Sequence, residues 1–337
     1  MRPIGILAGT CALPAFFFLS YAADLAPKPP LGLPPISWPK DNPYTSAKAE
    51  LGRYLYFDAR LSADNTVSCA SCHNPRLAFT DGAPVSTGVK AQKGGRSAPT
   101  VINRVYSMAQ FWDGRAKSLE EQAKGPIANP IEMGMTHDLV VERLKGIGGY
   151  KPLFVRAFGS DTVDIDRVAQ AIACFERTIF SGNSPYDRYK RGDLTAMTPQ
   201  QVRGMDLFTN KAKCDQCHEG ANFTLNSYHN LGVGADKADP DVGRYAVTHN
   251  AGDWGTFKTP TLREVEHTGP YMHDGSLKTL DEVVEYYNKG GNPNKNLDPA
   301  MKPLHLNDED RKALVVFLKA LSGEGWQKIT APESFPK

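Results

Sequence analysis

Two pentapeptides of one pattern constrain this chain more than any other feature. Cys69-Ala70-Ser71-Cys72-His73 and Cys214-Asp215-Gln216-Cys217-His218 both read CxxCH. Six cysteines and eight histidines in 337 residues would supply roughly 0.003 such frames by chance, so neither is accidental. Cysteines at i and i+3 share one helical turn and can reach the two vinyl groups of one haem, with the next histidine beneath the iron. Zinc would need a second cysteine pair or paired histidines to complete four ligands, whereas each frame here carries a single His. A redox CxxC would need a βαβ context that this sequence lacks. The expectation is two covalently bound c-type haems: Cys69, Cys72 and His73 at the first, Cys214, Cys217 and His218 at the second, with His73 and His218 as iron ligands.

Compartment follows from the N-terminus. Arg2 supplies a positive start, Ile4 to Leu19 an apolar run, and Ser20-Tyr21-Ala22 a small-x-small cleavage site. Residues 1–22 are therefore expected to be a signal peptide, with export to the periplasm and no stable membrane insertion after cleavage. A retained anchor is the rival, since Ile4 to Ala23 could span a bilayer, but Pro14 and the cleavage site favour removal. Cys11 would leave with the signal, and the fifth remaining cysteine, Cys174, sits in an apolar helical run as a small buried hydrophobe. A net charge of +2 without a basic tract excludes a nucleic-acid binder working through an electrostatic stripe. A mean hydropathy of −0.40 excludes a polytopic membrane protein.

The length suits two domains at roughly 100–200 residues each. Residues 26–43 carry seven prolines, so 23–44 should be an extended strap. A capped helix from Thr45 leads to the first CxxCH, and Thr198-Pro199 opens a similar helix before the second. The chain thus reads as mainly α, with two cytochrome c-like domains over 45–190 and 191–337 sharing an interface. Ser184-Pro185 and the Arg191-Gly192-Asp193 turn interrupt the periodicity near the boundary. Further helices are expected over 117–124, 137–145, 164–180, 279–288 and 308–321, with few strands. Residues 229–256 form a long Gly- and Asp-rich loop suited to an interface or lid. Asp236, Asp239 and Asp241 within it fit no EF-hand frame and read as a solvated loop.

Beyond the haem frames, three motifs resemble the bacterial di-haem cytochrome c peroxidase/MauG family. They are Phe111-Trp112-Asp113-Gly114-Arg115, Gly125-Pro126-Ile127-Ala128-Asn129-Pro130-Ile131-Glu132-Met133 and Pro270-Tyr271-Met272-His273-Asp274-Gly275-Ser276. The likeness spans roughly residues 45–325. It implies two-electron use of hydrogen peroxide, with a peroxidatic haem in the first domain and an electron-transfer haem in the second. By the same resemblance Trp112 is a relay between haems, Glu132 the distal carboxylate that moves protons, and Gln122 and Pro126 part of the same pocket. Thr268 and Pro270 match carbonyl ligands of a calcium ion between the domains, although the Asn expected as third ligand is here Ser97. Arg115 and Arg244 could pair with haem propionates, and His273 would lie beside the second haem.

The departures from the family pattern bear on mechanism. Typical members carry a Gly-His after the first haem that caps its iron until the enzyme is half-reduced. Here the stretch is Ser86-Thr87-Gly88-Val89-Lys90, and Val89 cannot ligate iron, so the first haem is expected to be five-coordinate. Typical members also place a Met in the helix after the His-Asp-Gly motif, where this chain has Tyr287, as MauG-type members do. Leu280, Val283, Val284 and Tyr287 follow i, i+3, i+4, i+7, which puts Tyr287 rather than Tyr286 on the inward face. Tyr287 is the expected sixth ligand of the second iron, with Met272 the competitor.

Three functions follow. In a MauG-type enzyme, peroxide would drive the ferric pair to a high-valent state, shared through Trp112, that oxidises side chains on an exported partner protein. In a cytochrome c peroxidase, a small cytochrome or cupredoxin would donate electrons to peroxide. A plain di-haem electron carrier would leave Glu132 and Gln122 without purpose.

Overall fold

The computed structural model describes residues 24–337, and the signal-peptide expectation for 1–22 lies outside them. Eleven helices carry the described residues: α1 Ser46–Phe57, α2 Cys69–Cys72, α3 Leu119–Ala128, α4 His137–Lys145, α5 Tyr150–Phe158, α6 Ile165–Glu176, α7 Pro185–Lys190, α8 Pro199–Asn210, α9 Tyr245–Thr248, α10 Leu280–Lys289 and α11 Asp308–Lys319. Four two-residue strands pair antiparallel: β1 Ser181–Gly182 with β4 Glu324–Gly325, and β2 Tyr228–His229 with β3 Phe257–Lys258. No described helix is long and apolar enough to cross a membrane.

Local chemistry starts the helices where expected. The Thr45 side chain accepts from Lys48 N, and Thr198 makes a reciprocal capping box with Gln201 ahead of Pro199. Ser184-Pro185, read as an interruption, instead caps α7 through a box between Ser184 and Asp187, because Pro at N1 needs no N–H partner. Helix α5 escaped the periodicity reading: Gly148-Gly149 and Pro152 look like turn residues, yet proline is tolerated in a first turn.

The apolar faces gather into two cores. One is built from α1, α3, α4, α5 and α6 around Leu51, Tyr56, Ile127, Phe154 and Ile172. The other is built from α8, α10 and α11 around Leu207, Phe208, Val284, Leu314 and Phe317. Each core contains one very close helix crossing. A Cβ at Gly52 of α1 would collide with the carbonyl of Ala171 in α6, and one at Gly204 of α8 with the carbonyl of Ala313 in α11. Glycine lets the backbones touch.

Both terminal segments pack against the first half. Residues 24–43 form no helix or strand, and their carbonyls accept from Asn183 N at Leu31 (2.7 Å) and from Tyr106 Oη at Pro34 (2.7 Å). Residues 324–337, grouped by the sequence reading with the second domain, return to the first core. Trp326 packs into it, Arg53 Nε donates to Thr330 O (2.9 Å), and Gly149 N donates to Lys337 O (2.7 Å).

Candidate active site

Each CxxCH frame borders a cavity, about 390 Å³ at the first and about 500 Å³ at the second. His73 and His218 are oriented alike. His73 Nδ1 lies 3.3 Å from the Phe79 carbonyl, and His218 Nδ1 3.0 Å from the Phe223 carbonyl. A carbonyl only accepts, so Nδ1 must carry the proton and Nε2 the lone pair that a metal needs. Burial lowers both imidazole pKa values, His218 to about 4, which keeps the rings neutral as ligation requires. None of the four frame cysteines is in a disulfide, which leaves both pairs available for attachment, and burial raises the Cys72 thiol pKa to about 11 and the Cys214 thiol pKa to about 12. Zinc would want several ligands together, and among the described residues no three His, Cys, Asp or Glu side chains are grouped to hold a metal ion. The second cavity is walled by Leu262, Val265, Val283, Val284, Leu314 and Leu318, apolar surface suited to a porphyrin. The residues present therefore fit one haem per cavity.

Helix α3 supplies one wall of the first cavity. Its Leu119, Gln122 and Pro126, at i, i+3 and i+7, all line the space. Glu132 lines it from the following turn, with Oε1 accepting from Asn129 Nδ2 at 2.7 Å. Burial raises the Glu132 pKa, opposed by the charge of Arg115. Val89 does not line this cavity. It is packed into the first core, and its N–H donates to the Glu132 carbonyl at 2.8 Å. Gly88 makes that approach feasible, since a Cβ there would meet the carbonyls of Ile131 and Glu132. His73 is the only His among the described residues lining the cavity, and no Met or Tyr joins it.

Trp112, Ser97, Ala98, Pro99 and Arg104 line both cavities and so form their common wall. Trp112 is held there from both sides: its Nε1 donates to Ser97 O (2.9 Å), and its carbonyl accepts from Lys258 N (2.7 Å). Arg96 joins this wall to the Gly- and Asp-rich loop. It donates to Asp113 Oδ2 (2.6 Å) and bidentately to Asp241 (2.6 and 2.8 Å). Asp241 is thus an ion-pair partner rather than a member of a solvated loop.

Tyr287 lines the second cavity and Tyr286 does not. Tyr286 Oη donates to Leu231 O (2.8 Å), whereas the Tyr287 hydroxyl bonds to none of the described residues. Met272 also lines the cavity, as do Thr268 and Pro270, the residues matched to calcium. Ser97, which stands where the third calcium ligand is expected, accepts from Trp112 through its carbonyl. His273 is buried, stacked on Phe257 at 3.6 Å between ring centroids. Arg244, considered for a propionate, stacks on Tyr228 and donates to Asp113 O instead (3.0 Å). Arg115 lines the first cavity while paired with Asp113 (2.8 Å).

Three buried ionisable residues on these walls escaped the sequence reading: Arg104, Lys258 and Glu176. Glu176 lines the first cavity, its carboxyl makes no hydrogen bond, and burial raises its pKa to about 8. Its signal was present, because Ala169, Ile172, Ala173 and Glu176 share the inward stripe of α6. Arg104 and Lys258 lie outside any α-helix, where periodicity has nothing to say.

The family profile "Di-haem cytochrome c peroxidase" matches residues 46–195, and the profile "Cytochrome c" matches 201–322. Methylamine utilization protein MauG of Methylorubrum extorquens is 45% identical, over 88% of this chain and 83% of that protein. Cytochrome c551 peroxidase of Nitrosomonas europaea is 42% identical, over 84% and 82% respectively. A solved MauG-like protein associated with microbial copper homeostasis superposes with a TM-score of 0.82 at 32% identity, covering 88% of this chain and 95% of that one.

Proposed function

This chain belongs to the di-haem cytochrome c peroxidase/MauG family, and from that premise we propose that it is an exported enzyme of the MauG type, using hydrogen peroxide to oxidise side chains of a partner protein. The observation that carries the reading is the space over His73, where Glu132 and Gln122 line the wall and no second His, Met or Tyr does. Both haems are attached through their cysteine pairs, Cys69 with Cys72 and Cys214 with Cys217. Haem iron, when bound, supplies the two-electron chemistry that splits the peroxide O–O bond.

The residues around it have separable tasks. Glu132, anchored through Oε1 by Asn129, takes a proton from one peroxide oxygen and returns it to the other, a shift for which a raised carboxyl pKa is suited. The Gln122 amide, both donor and acceptor, orients peroxide beside it. Pro126 narrows the same wall. Trp112, part of both cavity walls and fixed by its N–H to Ser97, carries electrons between the two sites. Tyr287, which lines the second cavity, would offer its phenol oxygen to the second iron when haem is bound, and such a ligand would favour the oxidised metal over an electron store.

Titrating the fully ferric protein with peroxide, without reductant, tests this directly. An immediate, stoichiometric change in the haem absorption bands is expected. Silence until one haem is reduced would replace the reading with a cytochrome c peroxidase fed by a small cytochrome or cupredoxin. Silence in both states would leave an electron carrier.

A further inference from the structure

Two buried cations stand at the wall between the cavities with no carboxylate in ion-pair contact; Glu176, which lines the first cavity with Arg104, acts on it only through space. Arg104 lines both cavities and Lys258 lines the second. Arg104 is 9% exposed and Lys258 3%. The Arg104 guanidinium makes one hydrogen bond, from Nη1 to Ser107 Oγ at 3.2 Å, and the Lys258 ammonium reaches only the Thr259 carbonyl at 3.4 Å. Among the described residues no carboxylate oxygen lies within 4.0 Å of either. Other buried arginines differ: Arg177 pairs with Glu120, and Arg263 with Asp187.

Neither cation is placed there by a mobile segment. The Asn103 side chain exchanges two hydrogen bonds with the Ser181 backbone (2.9 and 3.0 Å), which pins the residue before Arg104. Lys258 lies in β3, and its N–H donates to the Trp112 carbonyl. Burial lowers the Arg104 pKa to about 10, and burial together with the Arg104 charge lowers that of Lys258. A buried charge is costly unless it is paired, so two rigid cations aimed at one region call for anions there.

We propose that Arg104 and Lys258 form a carboxylate clamp for the haem propionates, with Lys258 serving the second haem and Arg104 spanning both. The inference rests on the di-haem reading above. A guanidinium can hold carboxylates bidentately and on two sides, whereas an ammonium acts as a point charge. The clamp also acts on redox balance: a nearby cation favours ferrous iron, which has one positive charge fewer than ferric.

The test uses the purified holoprotein, with haem content measured by absorbance in alkaline pyridine and each midpoint potential by spectroelectrochemistry. In Lys258→Gln the second haem should shift toward oxidation by about tenfold in its reduction equilibrium, about 59 mV for one electron, while the first stays within twofold. In Arg104→Gln both should shift the same way. Two bound haems with both potentials within twofold of wild type in both variants would overturn the clamp. Should Arg104→Gln fail to mature, Lys258→Gln decides alone: a shift confined to the second haem upholds the clamp, and no shift, or equal shifts at both, overturns it. A wild-type protein with fewer than two haems would instead overturn the di-haem reading itself.

Discussion

Single atoms carry the chemistry of this site. One backbone carbonyl beside each haem-frame histidine settles which ring nitrogen keeps its lone pair, and one amide from Asn129 settles where the Glu132 carboxyl sits. Replacing Glu132 by Gln keeps the shape and removes the proton carrier. Steady-state peroxide turnover should fall by roughly 10²–10⁴-fold, with the ferric haem spectrum unchanged. Glu176 makes a different prediction. Its folded pKa of about 8 lies above the ordinary carboxyl value, so the folded protein holds a proton that the unfolded chain releases. The associated stability is present below the unfolded pKa and is lost as pH rises toward and through 8. Guanidinium midpoints at pH 5, 7 and 9 should therefore decline across the series, and Glu176→Gln should flatten that decline.

At the level of elements, the two halves solve one packing problem with the same device. Gly52 lets α1 meet α6, and Gly204 lets α8 meet α11, backbone against backbone. Alanine in place of a mid-helix glycine normally adds about 1 kcal/mol of helix propensity. Here the added methyl meets a carbonyl rather than space, and overpacking of this kind costs about 1–3 kcal/mol or more. Gly52→Ala and Gly204→Ala should both destabilise in denaturant unfolding, against the propensity scale; a gain in either would show that the helices can move apart. Caps at Thr45, Ser184 and Thr198 fix where the elements begin, and proline at N1 reinforces two of them.

At the level of the molecule, two cavities share a wall, and that wall is held by contacts far apart in sequence. Arg96 links Asp113, beside Trp112, to Asp241 in the 229–256 loop, and Lys258 N donates to the Trp112 carbonyl. Arg96→Met would leave Asp113, 4% exposed, with Arg115 alone and would release the loop. A loss on the order of 3 kcal/mol is expected in chemical denaturation, together with faster limited proteolysis within 229–256. Unchanged proteolysis there would mean that the loop is held by its remaining hydrogen bonds.

The haem frames, the helix starts and the inward register of Tyr287 were legible in the sequence because each is a local pattern. Attachment needs adjacent residues, a cap needs the first turn, and a helical stripe repeats within two turns. Trp112, Gln122, Pro126 and Glu132 were legible only as motifs resembling a family, since by themselves they read as a core aromatic and ordinary loop or helix residues. Helix α5 was hidden by its glycines and proline, and α7 by a Ser-Pro that caps where it seemed to interrupt. The sequence by itself determined the two CxxCH frames and which histidine belongs to each. Only the tertiary structure decided which charges are left without partners between the cavities, because burial and ion pairing depend on residues such as Arg104 and Lys258, or Arg96 and Asp241, that meet only once the whole chain has packed.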